Sequence, residues 1–321
     1  AFVTGATVAN FTALAAARHA VLARSDGNVE ADGLFGAPPV TVVVSEESHP
    51  TLFKSLGMLG FGRSRVVKVA VDRQGRMRAD ALPPISGPTI ICTQAGNVNT
   101  GSFDPIGDIC DIAHRSGAWV HVDGAFGLWA SASPVLCHLT EGAEKADSWA
   151  TDGHKWLNVP YDSGIALVCD PHPLKAAMAI TAEYLPTSAP HRNPSDFTPE
   201  LSRRARGIEV WAALRHLGRG GVADMIERCC RHARRFADGF NSSGYRVLNN
   251  VVLNQVLVSF GNPEKTKKVI AGIQQDGTCY CGGTVWQGQE AIRISVSSWA
   301  TTEEDVEKSL TAMLRIADNI E

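Results

Sequence analysis

Short apolar runs alternate along the first half of the chain with stretches of helical periodicity, the pattern of a parallel sheet with crossover helices. The runs fall at residues 40–44, 66–69, 89–93, 119–123, 148–151 and 165–169, and helical stretches lie at 9–22, 51–57 and 106–116. Thr-Val-Val-Val at 41–44 and Ile-Ala-Leu-Val at 165–168 are apolar throughout rather than at alternate positions, so these strands are expected to be covered on both faces. The prediction is an α/β domain over residues 1–200, with a mostly parallel central sheet and helices on both faces. Residues 171–200 turn to Pro, His, Ser and Asn with little periodicity and read as a long loop of the kind that acts as a lid. A long helix is expected over 208–240, bent near the glycines at 218–221. Strand, helix, strand and helix follow at 256–260, 265–274, 291–295 and 302–316, so residues 201–321 read as a connecting helix and a small C-terminal α+β domain.

Composition narrows the function classes. The 321 residues are 44% hydrophobic and 20% charged, enough to bury a large core, and the net charge is −3 with the signs mixed. No basic face speaks for nucleic acid, and no apolar run approaches the length that crosses a bilayer. Small-molecule chemistry is favoured. The eight cysteines are scattered without the density of a secreted disulfide scaffold, which points to a reducing cytoplasm. Cys279-Tyr-Cys281 lacks the second ligand pair that a zinc site wants. The chain opens at Ala1 almost directly in a Gly-Ala-Thr turn, with neither initiator Met nor signal-peptide pattern, and an upstream segment is expected to be missing.

Five elements carry candidate chemistry. Thr4-Gly5-Ala6-Thr7-Val8 runs straight into a helix, and amides at a helix N-terminus beside the Thr7 hydroxyl suit a phosphate, although a plain helix cap reads the same way. His49 follows the 40–44 strand, where an imidazole can stack on an aromatic ring or simply cap a helix. Gln94 ends the 89–93 run in a polar turn. Asp123 ends Ala-Trp-Val-His-Val, a buried position where a carboxylate needs a partner such as a pyridinium N–H, and Gly124 and Ala125 leave room for a flat ring. His121 on the same strand face leaves a metal reading of His-x-Asp open. Lys155, in Asp-Gly-His154-Lys155-Trp-Leu, follows an apolar strand among large apolar neighbours, where desolvation favours the free amine that attacks aldehydes, and His154 beside it could move a proton. An amine for a Schiff base and a carboxylate for a ring nitrogen together point to pyridoxal 5'-phosphate.

From Val3 to the C-terminal helix the chain resembles the group II pyridoxal-phosphate amino-acid decarboxylases, the glutamate and aromatic amino-acid decarboxylase family of fold type I. The resemblance rests on His-Val-Asp-Gly-Ala at 121–125 and Asp-Gly-His-Lys-Trp-Leu-Asn-Val-Pro-Tyr-Asp-Ser-Gly at 152–164, supported by Arg-Arg-Ala-Arg-Gly-Ile-Glu-Val-Trp at 203–211. It implies that Lys155 forms the internal aldimine, Asp123 binds the pyridine nitrogen, His49 stacks on the ring, Ala125 packs beneath it, and Ala6, Thr7 and His154 surround the phosphate. Arg206 is implied to contact substrate or lid. It further implies a homodimer with the active site near the interface, and loss of carbon dioxide from an L-amino acid to leave a carbanion that the ring stabilises.

This sequence departs from that family in several places. Val8 stands where relatives often carry Glu, and Gln94 and Asn97 where many carry Thr. Asp152 occupies a position that is Asn in some relatives, where it could bind phosphate; a carboxylate beside a phosphate is unfavourable, so Asp152 is left outside the expected site. Phe197 takes the place of the lid tyrosine that protonates the carbanion, with Tyr184 a possible substitute; this keeps aldehyde synthesis or carbon-carbon lyase chemistry open. A non-catalytic interaction subunit and a metal-dependent hydrolase built on His121, Asp123 and His154 are the readings from other classes.

Overall fold

The computed structural model describes residues 1–25, 27–180 and 192–320. The chain opens with β1 (Phe2–Val3), α1 (Ala6–Ala23) and a short α2 (Val29–Asp32). It continues through β2 (Thr41–Ser45), α3 (Pro50–Met58), β3 (Val67–Val69), β4 (Thr89–Gln94) and α4 (Ile106–His114) to β5 (Trp119–Asp123), β6 (Ser148–Asp152) and β7 (Gly164–Val168). These strands make one sheet in the order β1-β7-β6-β5-β4-β2-β3. After α5 (Pro171–Met178) and the long α6 (Gly207–Ser242) come β8 (Arg246–Val247), β9 (Gln255–Ser259), α7 (Pro263–Asp276), β10 (Gly282–Trp286), β11 (Gln289–Ser295) and α8 (Glu303–Asp318). The second sheet, ordered β10-β11-β9-β8, is antiparallel throughout.

In the large sheet β3, β2, β4, β5 and β6 run parallel. At the edge, β7 is antiparallel to β6 and β1 antiparallel to β7, because the link from β6 to β7 holds no crossover helix and the chain must turn back. Alternation along the parallel strands sorts side chains between two cores. Val43, Ile91, Val120 and Val122 face α4 and α6, whereas Val42, Val44, Ile90, Cys92 and Trp119 meet Leu14 and Leu22 of α1 and Leu52 and Leu56 of α3. β4 and β5 are buried along their whole length, as continuous apolar runs require.

The expectation of a structureless 171–200 is corrected at its start. Asp170 Oδ1 accepts from the His172 amide at 2.9 Å and caps α5, with Pro171 at the first helical position. Pro171 and Pro173 both sit in the first turn, where a missing N–H costs no helical bond. The bend in α6 falls at Gly218, whose φ of 62° is left-handed and carries no Cβ penalty in glycine. One apolar cluster runs from Val43 and Ile91 through Cys229 and Phe236 of α6 to Val256, Ile292 and Leu310. Two units meeting near residue 200, the second opened by α6, is the division we propose from the segregation of the sheets.

Candidate active site

The carboxyl ends of the parallel strands converge on one cavity of about 490 Å³, the edge at which doubly wound sheets bind ligands. β2 leads to His49, β4 ends in Gln94, β5 in Asp123 and β6 in Asp152, and the turn beyond β6 brings His154 and Lys155. Thr4 to Val8 at the start of α1 and Arg293, Ser295 and Ser297 from β11 and just beyond it complete the wall.

Helix α1 begins three residues earlier than its apolar pattern predicts. Its first recorded bond runs from the Ala9 amide to Gly5 O at 2.8 Å, so the amides of Ala6, Thr7 and Val8 precede the helical ladder. Ala6 N–H donates to Asp152 Oδ1 at 2.5 Å, while Thr7 and Val8 amides have no acceptor among the described residues. A Cβ on Gly5 would press on His154 Cε1 at 3.0 Å and Asp152 Oδ1 at 3.2 Å, and one on Gly164 would strike the Gly5 backbone. This glycine pair lets β7 close against the start of α1.

Asp123 is buried, and burial pushes its carboxyl above the usual range. Against this work the Asn10 amide, donating to Oδ2 at 3.0 Å, the Lys155 charge, and the Ala125 amide at 3.2 Å from Oδ1. His49 caps α3 and lines the cavity at once: its Nδ1 accepts from the Thr51 amide at 3.3 Å, and burial lowers its pKa. Gln94 lies buried, and its Nε2 has no partner among the described residues. His154 Nδ1 accepts from the Ser163 amide at 3.0 Å, which leaves the proton of the neutral ring on Nε2, 3.4 Å from Asp152 Oδ1; its ring stacks on Tyr161 at 4.2 Å.

Lys155 differs from its expected setting. Its side chain is 41% exposed and its Nζ lies 2.9 Å from Asp152 Oδ2, so an ion pair rather than desolvation surrounds the amine. The burial belongs to Trp156, fully enclosed beside Phe126, and to Leu157. Removing the Trp156 ring would cost about 3–5 kcal/mol and free the turn that presents Lys155. Asn158, at a φ of 56°, then donates to Ser297 O at 2.9 Å and ties that turn to the segment beyond β11.

Gly5, Ala6, Thr7, His49, Gln94, Asp123, Ala125, His154 and Lys155 therefore share one cavity. Phe197 does not: it packs with Ala16 and Leu174 beneath the Arg192 guanidinium, because an apolar ring beside α5 gains more from that cluster than from a polar cavity. Arg206 also stands apart, paired with Asp162 through Nε–Oδ1 at 2.8 Å and Nη2–Oδ2 at 3.3 Å. Tyr184 lies outside the described residues. Asp152, excluded on electrostatic grounds, lines the cavity too, in contact with Lys155 and the Ala6 amide. Arg293 was missed, although a lone cation in Ala-Ile-Arg-Ile-Ser marks a charge on an otherwise apolar strand; it lines the cavity, and Nη1 donates to Val98 O at 3.0 Å.

Residues 1–261 match the model of the pyridoxal-dependent decarboxylase conserved domain. The chain belongs to that family. Among its curated relatives, tryptophan decarboxylase 1 of Oryza sativa subsp. japonica is 27% identical across 91% of this chain and 62% of its own length. Aspartate 1-decarboxylase of Aliivibrio fischeri is 32% identical across 74% of the chain and 46% of its own length. The chain thus spans about half to three fifths of the length of these relatives. The solved structure of Oryza sativa TDC with PLP and tryptamine superposes with a TM-score of 0.90 at 23% identity, over 99% of this chain and 70% of that one. Mouse CSAD gives 0.91 at 22%, over 100% and 72%. These two likenesses show the fold, that of the PLP decarboxylases.

Pyridoxal phosphate is the cofactor of this family, and the residues present fit it. Among the described residues the amides of Thr7 and Val8 at the start of α1 and Gln94 Nε2 are donors without acceptors, the former suited to a phosphate; the buried Asp123 suits a ring N–H, and Lys155 is an amine in reach of the same space.

Proposed function

We propose that this chain removes the carboxylate of an L-amino acid as carbon dioxide and releases the amine, working as a homodimer. The observation that carries the reading is the opening of the Lys155 amine and the buried Asp123 carboxylate onto one cavity walled by the free end of α1. When bound, pyridoxal phosphate supplies an aldehyde that captures amines and a protonated ring that withdraws the electron pair carbon dioxide leaves behind.

The chain's own residues do the rest. Lys155 offers the amine, and Asp152 holds it in place. Asp123 would accept the ring N–H, and His49 and Ala125 would bound the space the ring takes. The Thr7 and Val8 amides and the Nε2–H of His154 would donate to the phosphate. Arg293 pairs with the carboxylate of the incoming amino acid, fixing which bond stands ready to break. The exposed apolar residues Ile208, Trp211 and Leu214 on α6 support a dimer, and the eight free thiols support a cytoplasmic setting.

The test incubates protein with cofactor and a panel of L-amino acids and quantifies carbon dioxide, amine, aldehyde and hydrogen peroxide. Carbon dioxide and amine in equal amounts are expected. Aldehyde with hydrogen peroxide would replace this reading by oxidative chemistry. Silence with every amino acid, while Lys155 still gives the visible absorbance of bound cofactor, would leave a binding subunit in its place.

A further inference from the structure

Behind the cavity, Asp123 is tied to a string of buried polar groups that the proposed reaction does not otherwise use. Asn10 lies in the second turn of α1, inside the helix, where asparagine disfavours helix unless its side chain is engaged, and it is fully buried. Its Nδ2 donates to Asp123 Oδ2 at 3.0 Å, and its Oδ1 lies 2.8 Å from His121 Nε2. His121 Nδ1 is 2.9 Å from Ser148 Oγ, and the same oxygen accepts from Trp119 Nε1 at 2.9 Å. Trp119, His121 and Asp123 share the face of β5 that packs on α1, and Ser148 opens the neighbouring β6.

The far end decides the direction of this string. An indole N–H can only donate, so Ser148 Oγ accepts from Trp119, and among the described residues the only acceptor left for its own hydrogen is His121 Nδ1. The His121 proton then sits on Nε2 and goes to Asn10 Oδ1, which turns the amide NH₂ toward Asp123. Burial holds His121 neutral, with its pKa lowered to about 3. The reverse direction needs Asp123 to carry a proton and His121 Nδ1 to donate to Ser148. The buried Ser148 hydroxyl hydrogen would then have no acceptor among the described residues. In the satisfied arrangement each donor faces the next acceptor along the string, and the last, the Asn10 amide, donates to Asp123 and favours its ionised form.

We propose that Asn10 and His121 are positioning residues, which with Ser148 and Trp119 form a one-way hydrogen-bonded string that holds Asp123 ionised and fixed in rotation for the cofactor's ring nitrogen. The inference rests on the reading that pyridoxal phosphate binds here with that nitrogen at Asp123. The string is not a proton wire, since an amide passes no proton along it. It acts by stabilising the charged form of a carboxylate that burial disfavours. Without the Asn10 donor, the proton shared between Asp123 and the ring shifts toward Asp123, by about ten- to hundredfold for one hydrogen bond to a charged group.

The experiment loads the protein with pyridoxal phosphate carrying nitrogen-15 in the ring and records the ring nitrogen resonance, cofactor affinity and melting temperature. The unaltered protein should give a pyridinium signal. Asn10→Leu should move it toward the neutral pyridine while the cofactor remains bound. His121→Leu should do the same. His121→Gln, whose amide can accept from Ser148 and donate to Asn10, should restore the pyridinium signal even where it lowers the melting temperature. A pyridinium signal retained in both leucine variants overturns the proposal, as does a shift of equal size in His121→Gln. Should Asn10→Leu fail to fold, the His121 pair decides alone. No bound cofactor in the unaltered protein would instead overturn the reading of the site.

Discussion

The carboxylate of Asp152 forms an ion pair of 2.9 Å with the amine of Lys155 and also accepts the Ala6 amide at the start of α1. One buried anion thus occupies the electropositive helix end that an incoming phosphate would use. The pair with a 41% exposed lysine is worth little, so like-charge repulsion is expected to dominate when phosphate arrives. Asp152→Asn should therefore bind pyridoxal phosphate more tightly, by about fivefold to tenfold for roughly 1 kcal/mol of relieved repulsion, in a fluorescence titration. Equal or weaker binding would show that the carboxylate serves the phosphate rather than opposing it.

Arg293 leads to a prediction that separates substrate from cofactor. Its guanidinium lines the cavity from β11, is partly buried with its pKa lowered by that burial, and makes one hydrogen bond to Val98 O. Arg293→Met preserves much of the bulk and removes the charge. It should lower kcat/KM by about ten- to hundredfold, the worth of a charge-assisted contact, while cofactor affinity stays unchanged. Steady-state kinetics beside a cofactor titration would decide this, and an unaltered kcat/KM would place the substrate carboxylate elsewhere.

What the sequence disclosed and concealed follows from which forces are local. The parallel strands were legible because runs such as Ile90, Ile91 and Cys92 are buried on both sides and need no polar alternation. β10 was not legible, since it opens with Gly282 and Gly283 and is stabilised by pairing with β11 rather than by its own pattern. Asp123 stood out as a charge ending an apolar strand. Asp152 was left out on its charge alone, and the contact that brings it to the cavity wall, with the Ala6 amide at the start of α1, is far away in sequence. Phe197 was placed at the lid by its neighbours in sequence, but its packing partners Ala16 and Leu174 are distant ones.

His121 also gives the protein a calculable acid sensitivity. Burial lowers its pKa from 6.5 to about 3, so below pH 6.5 the unfolded chain takes up a proton that the folded chain refuses. The contribution is fully present above pH 6.5 and is lost as pH falls toward 3, by up to about 1.4 kcal/mol per pH unit. The stability advantage of the unaltered protein over His121→Gln, measured by urea unfolding, should therefore shrink between pH 6.5 and 4.5. A constant difference across that range would mean that His121 titrates alike in both states.

On α6 before its bend, Ile208, Trp211 and Leu214 stand at a spacing of three residues with 65%, 67% and 40% exposure, an apolar stripe on one helix face. Stripes of this kind on a folded surface mark a binding partner, and tryptophan is the residue type whose truncation costs interfaces most. If a second copy covers this face in the proposed homodimer, Trp211→Glu buries an unpaired charge there and should weaken association by about thirtyfold or more. Sedimentation velocity over a range of protein concentrations should show a dimer that the substitution converts to monomer, with the helical circular dichroism unchanged. A variant that dimerises like the unaltered protein would remove α6 from the interface.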